Sequence, residues 1–207
     1  MKIAKGLVGL FAGLAVLIVV LGAASVWTYG IFMRQWDAPF VRQVAAAVHF
    51  PAARVGSRWI PYTDYLHNLD AERSYLAGPA AKAQGLPGEP TTEMKKEILE
   101  RLIRIAVVED MAKEQSLDMK QSDIDSAFDT LMARAGTSTT PGEIDAFLKD
   151  EFGWNRDEFK QNVLRPALLE SGLKQKKGSD QAAQDALGQE ILDRMDRSDV
   201  GRFLRFK

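Results

Sequence analysis

From Gly6 to Met33 the chain carries no charged residue for 28 positions, and beyond it apolar residues recur at helical steps almost to the end. An apolar helix of about 20 residues crosses a bilayer. Residues 6–33 are therefore expected to form a transmembrane helix, long enough to cross with some tilt. A cleaved signal peptide is the rival reading, with Gly22 and Ala24 as a small-x-small site, although its apolar region runs to only about 7–15 residues. Lys2 and Lys5 make residues 1–5 a basic flank that stays cytoplasmic under the positive-inside rule, an asymmetry weakened by Arg34 and Arg42. The expected localisation is the cell membrane, single-pass, with the body of the chain extracytoplasmic. Trp27, Tyr29 and Trp36 fall where an outer aromatic belt would lie. Gly9 and Gly13 form a GxxxG pair, the pattern of a weak helix–helix dimer, and also one that small residues make by chance in such helices.

Residues 34–51 read as a juxtamembrane connector, because Pro39, Pro51 and Pro61 each discourage helix at the residue before them. "AARVGSRWIPY" alternates around Gly56 and predicts a short extended segment. Helix then dominates. Tyr62 to Ala77 aligns Tyr65, Leu66, Leu69 and Leu76, and Gly78-Pro79 closes it ahead of the loop GPAAKAQGLPGEP. The helix from about Thr92 to Gln115 places Met94, Ile98, Leu102, Ile105, Val108 and Met111 at steps of three and four. Leu99, Ile103, Ala106 and Val107 widen that stripe until only Arg101 and Arg104 interrupt it, which predicts a central strut with Leu102 in buried core.

A third helix, about Gln121 to Arg134, turns Ile124, Phe128 and Leu131 inward. Two more start at capping boxes, Thr140 with Glu143 and Asn155 with Glu158, joined by the turn "FGWN". Pro166, inside the fifth pattern, removes a backbone donor and crowds the carbonyl of Asn162, which predicts a kink. The fold class is therefore all-α: a transmembrane helix, a short extended lead-in and a five-helix domain over residues 52–177, followed by a C-terminal helix and tail at 178–207.

Composition adds exclusions. With 46% hydrophobic and 27% charged residues, the chain is an ordinary globular domain plus its apolar start. The net charge of −1 leaves no nucleic-acid footprint, and the lack of cysteine means no disulfide staple. Asp123, Asp125 and Asp129 lack the glycine of a calcium loop, Phe128 standing in its place, and read as helix-start acids. His49 and His67 are too far apart in sequence for a recognisable metal site and read as isolated imidazoles. No phosphate-loop, dinucleotide or nucleophile-elbow motif occurs, so no catalytic, cofactor or metal residue is assigned.

The runs "ARVGSRWIPYTDYLHNL", "MKKEILERLIRIAVVEDMAKEQSLDMKQSDIDSAFDTL" and "FLKDEFGWNRDEFKQNVLRPALLE" resemble the N-terminal chaperone domain of SurA-type proteins, shared with the PpiD and PrsA foldases. The resemblance covers roughly residues 52 to 175. It implies a membrane-tethered chaperone, its partners unfolded or exported polypeptides. Relatives commonly continue into a parvulin prolyl isomerase domain. Here "AAQDALGQEILDRM", with Ala183, Leu187, Ile191 and Met195 at helical spacing, resembles only the first helix of one, and no histidine follows His67. Two alternatives stay open: a helical scaffold for one specific membrane partner, or a truncated isomerase. Flexible methionine and rigid aromatics suit a client surface, which makes Met119, Met132, Phe152 and Trp154 the candidate client-binding residues. The closing RFLRFK reads as a frayed end.

Overall fold

The computed structural model describes residues 22–135, 140–178 and 180–206. Helix α1 covers residues 22–34, α2 Pro39–Val48 and α3 Tyr62–Ala77, with strands β1 (Pro51–Val55) and β2 (Arg58–Pro61) before α3. Then follow α4 (Pro79–Ala83), α5 (Thr92–Glu114), α6 (Gln121–Ala135), α7 (Pro141–Phe152) and α8 (Arg156–Phe159). A π-helical turn, Lys160–Leu164, leads into α9 (Arg165–Lys177), and α10 (Gln181–Met195) precedes strand β3 (Val200–Arg202).

The three strands correct the all-α expectation: they form one antiparallel sheet in the order β2-β1-β3. Val55 and Arg58 pair across a two-residue turn whose first residue, Gly56, has φ +54, a conformation that glycine adopts without steric cost. Arg202 pairs with Ala53 and Val200 with Val55, so the chain's far end completes a sheet begun near its start. The tail is not frayed. Leu204 is buried, the Arg205 N–H donates to the Phe32 carbonyl at 2.8 Å, and Phe203 stacks on Trp59 at 5.8 Å.

Among the described residues no helix is long and apolar enough to cross a membrane, which overturns the expected single-pass anchor and the localisation built on it. The physical reason lies in α1, whose inner face belongs to the protein. Ile31 is fully buried in the main core, and Trp27 and Phe32 pack against the same cluster. Residues 6–21 of the apolar run, with Gly9 and Gly13, lie outside the described residues.

Prolines that were expected to leave residues 34–51 irregular mark element boundaries instead. Pro39 opens α2, a position where a missing N–H costs nothing, Pro51 starts β1 and Pro61 ends β2. Both capping boxes form, Thr140 with Glu143 at α7 and Asn155 with Glu158 at α8. Gly153, at φ +68, closes α7 in the left-handed conformation that turns the chain toward Trp154. Before Pro166 the chain makes a π turn in place of a simple kink. Its Arg165 N–H donates five residues back, to the Lys160 carbonyl, so the helix takes up the ring by widening.

One core runs through α1, α2, the sheet, α3, α5, α9 and α10. It crosses the boundary expected at residues 177–178, because Leu187, Ile191 and Met195 of α10 pack in the same cluster as Ile98, Ile103 and Val107 of α5. A satellite cluster of Phe128, Ile144 and Leu148 joins α6 to α7.

Candidate functional site

Helix α5 is a strut on one side and a floor on the other. Ile98, Leu99, Ile103, Ala106 and Val107 are buried, whereas Leu102 and Ile105 are only half-buried, in contrast to the expectation for Leu102. These two face a cavity of about 380 Å³ walled by Arg58, Trp59, Ile60 and Pro61 of β2, Asp64 and His67 of α3, and Asn162 and Arg165 at the π turn. A second cavity of about 280 Å³ shares Ile105 and Asn162 with it and continues past Val108, Trp154, Val163 and Pro166. Together they make a groove along α5. The widened turn ahead of Pro166 supplies part of its wall.

The floor of the groove is apolar, Leu102, Ile105 and Val108, and its walls carry polar and charged groups. Arg58 donates to Glu109 and, at 3.1 Å, to Asp110, and Arg165 donates to the other oxygen of Glu109. Glu109 is thus clamped between two guanidiniums with its side chain only 17% exposed. At the second cavity Arg104 donates to both carboxylate oxygens of Glu170 at 3.1 Å. Burial raises the Glu170 pKa, but the Lys174 and Arg104 contacts outweigh it and hold the carboxyl below its ordinary value. Asp64 behaves in the opposite way: burial in the groove raises its pKa, more than His67 and Thr63 lower it. Among the described residues Asp64 has no ion-pair partner.

Of the four candidate client residues, Trp154 reaches the groove. It is 6% exposed, lines the smaller cavity, and its indole N–H finds no acceptor among the described residues. Its ring stacks on His67 at 5.9 Å, and the His67 Nε2 lies 3.6 Å from Glu158, so that imidazole is not isolated. Phe152 lies 5.9 Å from Trp154 but packs into the satellite cluster, where Met132 also sits. Met119 lies apart, in a cavity of about 410 Å³ beyond the Arg58–Glu109–Arg165 clamp. The structure therefore does not unite the four. Sequence reasoning missed Trp59, Leu102 and Ile105 as groove residues; the two charges that interrupt the α5 stripe, Arg101 and Arg104, were the available signal, since both line the groove.

A further cavity, about 510 Å³, lies between the β1–β2 turn and the end of α10, and its charges largely satisfy one another. Arg194 reaches Glu114 at 2.8 Å and Arg197 reaches Asp199 at 3.2 Å. Among the described residues no group of three or more histidines, cysteines or acids is placed to hold a metal ion. Asp125, one of the helix-start acids, pairs with Lys160 at 2.8 Å. Comparison of the chain with protein-family models, with curated proteins and with solved structures found no match.

Proposed function

We propose that this chain is a chaperone-like holder of unfolded polypeptide that works by reversible burial and performs no chemistry on its client. One observation carries the reading: the half-buried Leu102 and Ile105, fixed on a rigid helix at the bottom of a groove rimmed by charge. Covering apolar surface contributes roughly 25 cal/mol per Å², so a groove of this size binds weakly enough to release what it shields. The resemblance of the sequence pattern to SurA-type chaperone domains points the same way.

The test is light scattering from several unrelated denatured proteins, with the full chain or its Ile105→Asp variant present. The reading expects broad suppression of aggregation by the native chain, sharply reduced in the variant while its thermal melt stays within a few degrees. Tight binding to a single protein with indifference to the others would refute the reading and establish a dedicated scaffold.

A further inference from the structure

Strand β2 lies at the edge of the sheet, and the register determines which of its main-chain groups are unpaired. On one side of β1, the Gly56 N–H donates to Asp199 and the Phe203 N–H donates to Ala52. Hydrogen-bonded pairs alternate along an antiparallel ladder, so Arg54, paired with Gly201 between those two bonds, spends its own N–H and C=O on β3. It has none left for Trp59, its partner on β2. The two-residue turn gives the same parity, because Val55 and Arg58 flank it as the bonded pair. Trp59 therefore turns its N–H and C=O outward, away from the sheet. Pro61, two residues on, has the same outward parity but offers nothing: it has no N–H, and as the N-cap of α3 its carbonyl accepts the first bond of that helix.

That free edge is a wall of the groove. Four consecutive β2 residues line the 380 Å³ cavity, as they do when a cavity runs along a strand. At about 3.3 Å per residue they span roughly 13 Å. Alternation turns Arg58 and Ile60 toward α5 and leaves the Trp59 ring on the opposite face, beside Arg54 and Phe203.

We infer that the groove takes its client as an added β-strand: an extended segment of another polypeptide pairs with the free edge of β2 through the main chain of Trp59. This rests on the reading above that the groove holds polypeptide. The residue opposite Trp59 places its side chain beside the exposed indole, and its two neighbours point at Leu102, Ile105 and Ala106, so the preferred pattern is aliphatic-x-aliphatic. The Asp64 carboxylate, beyond Pro61 and without an ion-pair partner among the described residues, favours a basic residue at that end. Main-chain pairing makes the site tolerant of sequence, as a holder of varied clients requires.

The experiment uses the full chain and a short synthetic peptide of alternating valine and threonine ending in lysine, with each amide N-methylated in turn. Affinity should fall about tenfold for a methyl on the one amide that donates to the Trp59 carbonyl and stay unchanged for methyls on its neighbours, a single break in the scan. In parallel, peptide binding should slow hydrogen exchange of the Trp59 amide, fast in the free protein, while Arg58 and Ile60 are protected in both states. Binding that persists with neither a methyl-sensitive position nor Trp59 protection overturns strand addition and leaves the holding function intact. Failure of every peptide to bind overturns both.

Discussion

Leu102 and Ile103 are neighbours on α5, equally apolar in the sequence, yet the structure assigns them different work. Ile103 is fully buried in the core, and Leu102 is half-buried at the groove floor. Truncating Ile103 to alanine leaves a cavity that the packed surroundings fill only in part, a loss of about 3 kcal/mol. For Leu102 the lost transfer energy of three carbons, at about 0.8 kcal/mol each and half realised, gives about 1 kcal/mol with little cavity cost, since solvent enters the space. Urea unfolding separates them. With a slope of about 1–3 kcal/mol per molar, Ile103→Ala moves the midpoint down by roughly 1 M or more and Leu102→Ala by about a third of that. Binding of the alternating peptide should show the reverse order, weakened several-fold by Leu102→Ala and untouched by Ile103→Ala under conditions where both are folded. Equal stability losses for the two variants would show that the groove closes in solution and that Leu102 belongs to the frame.

Replacing Glu109 by alanine leaves Arg58 and Arg165 facing each other beside the groove and should cost about 2–3 kcal/mol, less than a fully buried pair because both cations reach solvent. A thermal melt checks this, and the double change Glu109→Leu with Arg165→Met should recover most of the loss. Because the Glu170 pKa is depressed in the folded state, its contribution is present above the ordinary glutamate pKa of about 4.3 and is lost as pH falls below it. Urea midpoints measured from pH 6 to pH 3 should therefore fall less steeply in Arg104→Met than in the native chain. Leu204, 3% exposed, should cost about 2–4 kcal/mol when truncated to alanine, where a frayed tail would register no change in the urea midpoint.

Local signals in the sequence were read accurately where the physics is local. The boxes at Thr140 and Asn155 satisfy orphan amides within a few residues, and the α3 limits, Tyr62 to Ala77, follow from Pro61 and Gly78. The extended character of residues 52–61 is legible in the alternation around Gly56, though not its division into two strands. What was not legible depends on distant partners. Val200–Arg202 is too short to announce a strand, and only β1, far away in the chain, makes it one. Nor can a 3.6-residue period say whether a neighbouring helix covers Leu102, because that depends on how α9 leaves the π turn. The apolar start was read by length and hydropathy alone, measures blind to a face that packs on protein, as Ile31 does. Trp154 was found for its residue type; its unsatisfied N–H needed coordinates.

The sheet closed by β3 also imposes an order of events on synthesis. When β1 and β2 leave the ribosome they can form their hairpin at once, but the inner edge of β1 stays open until residues 200–204 have been made. At roughly 5–20 residues per second, that interval lasts on the order of ten seconds or more. Throughout it the nascent chain exposes two unpaired edges instead of one, together with the apolar seats of Leu187, Ile191 and Leu204. A protein read here as guarding the unfolded chains of others must spend its own first seconds as such a chain.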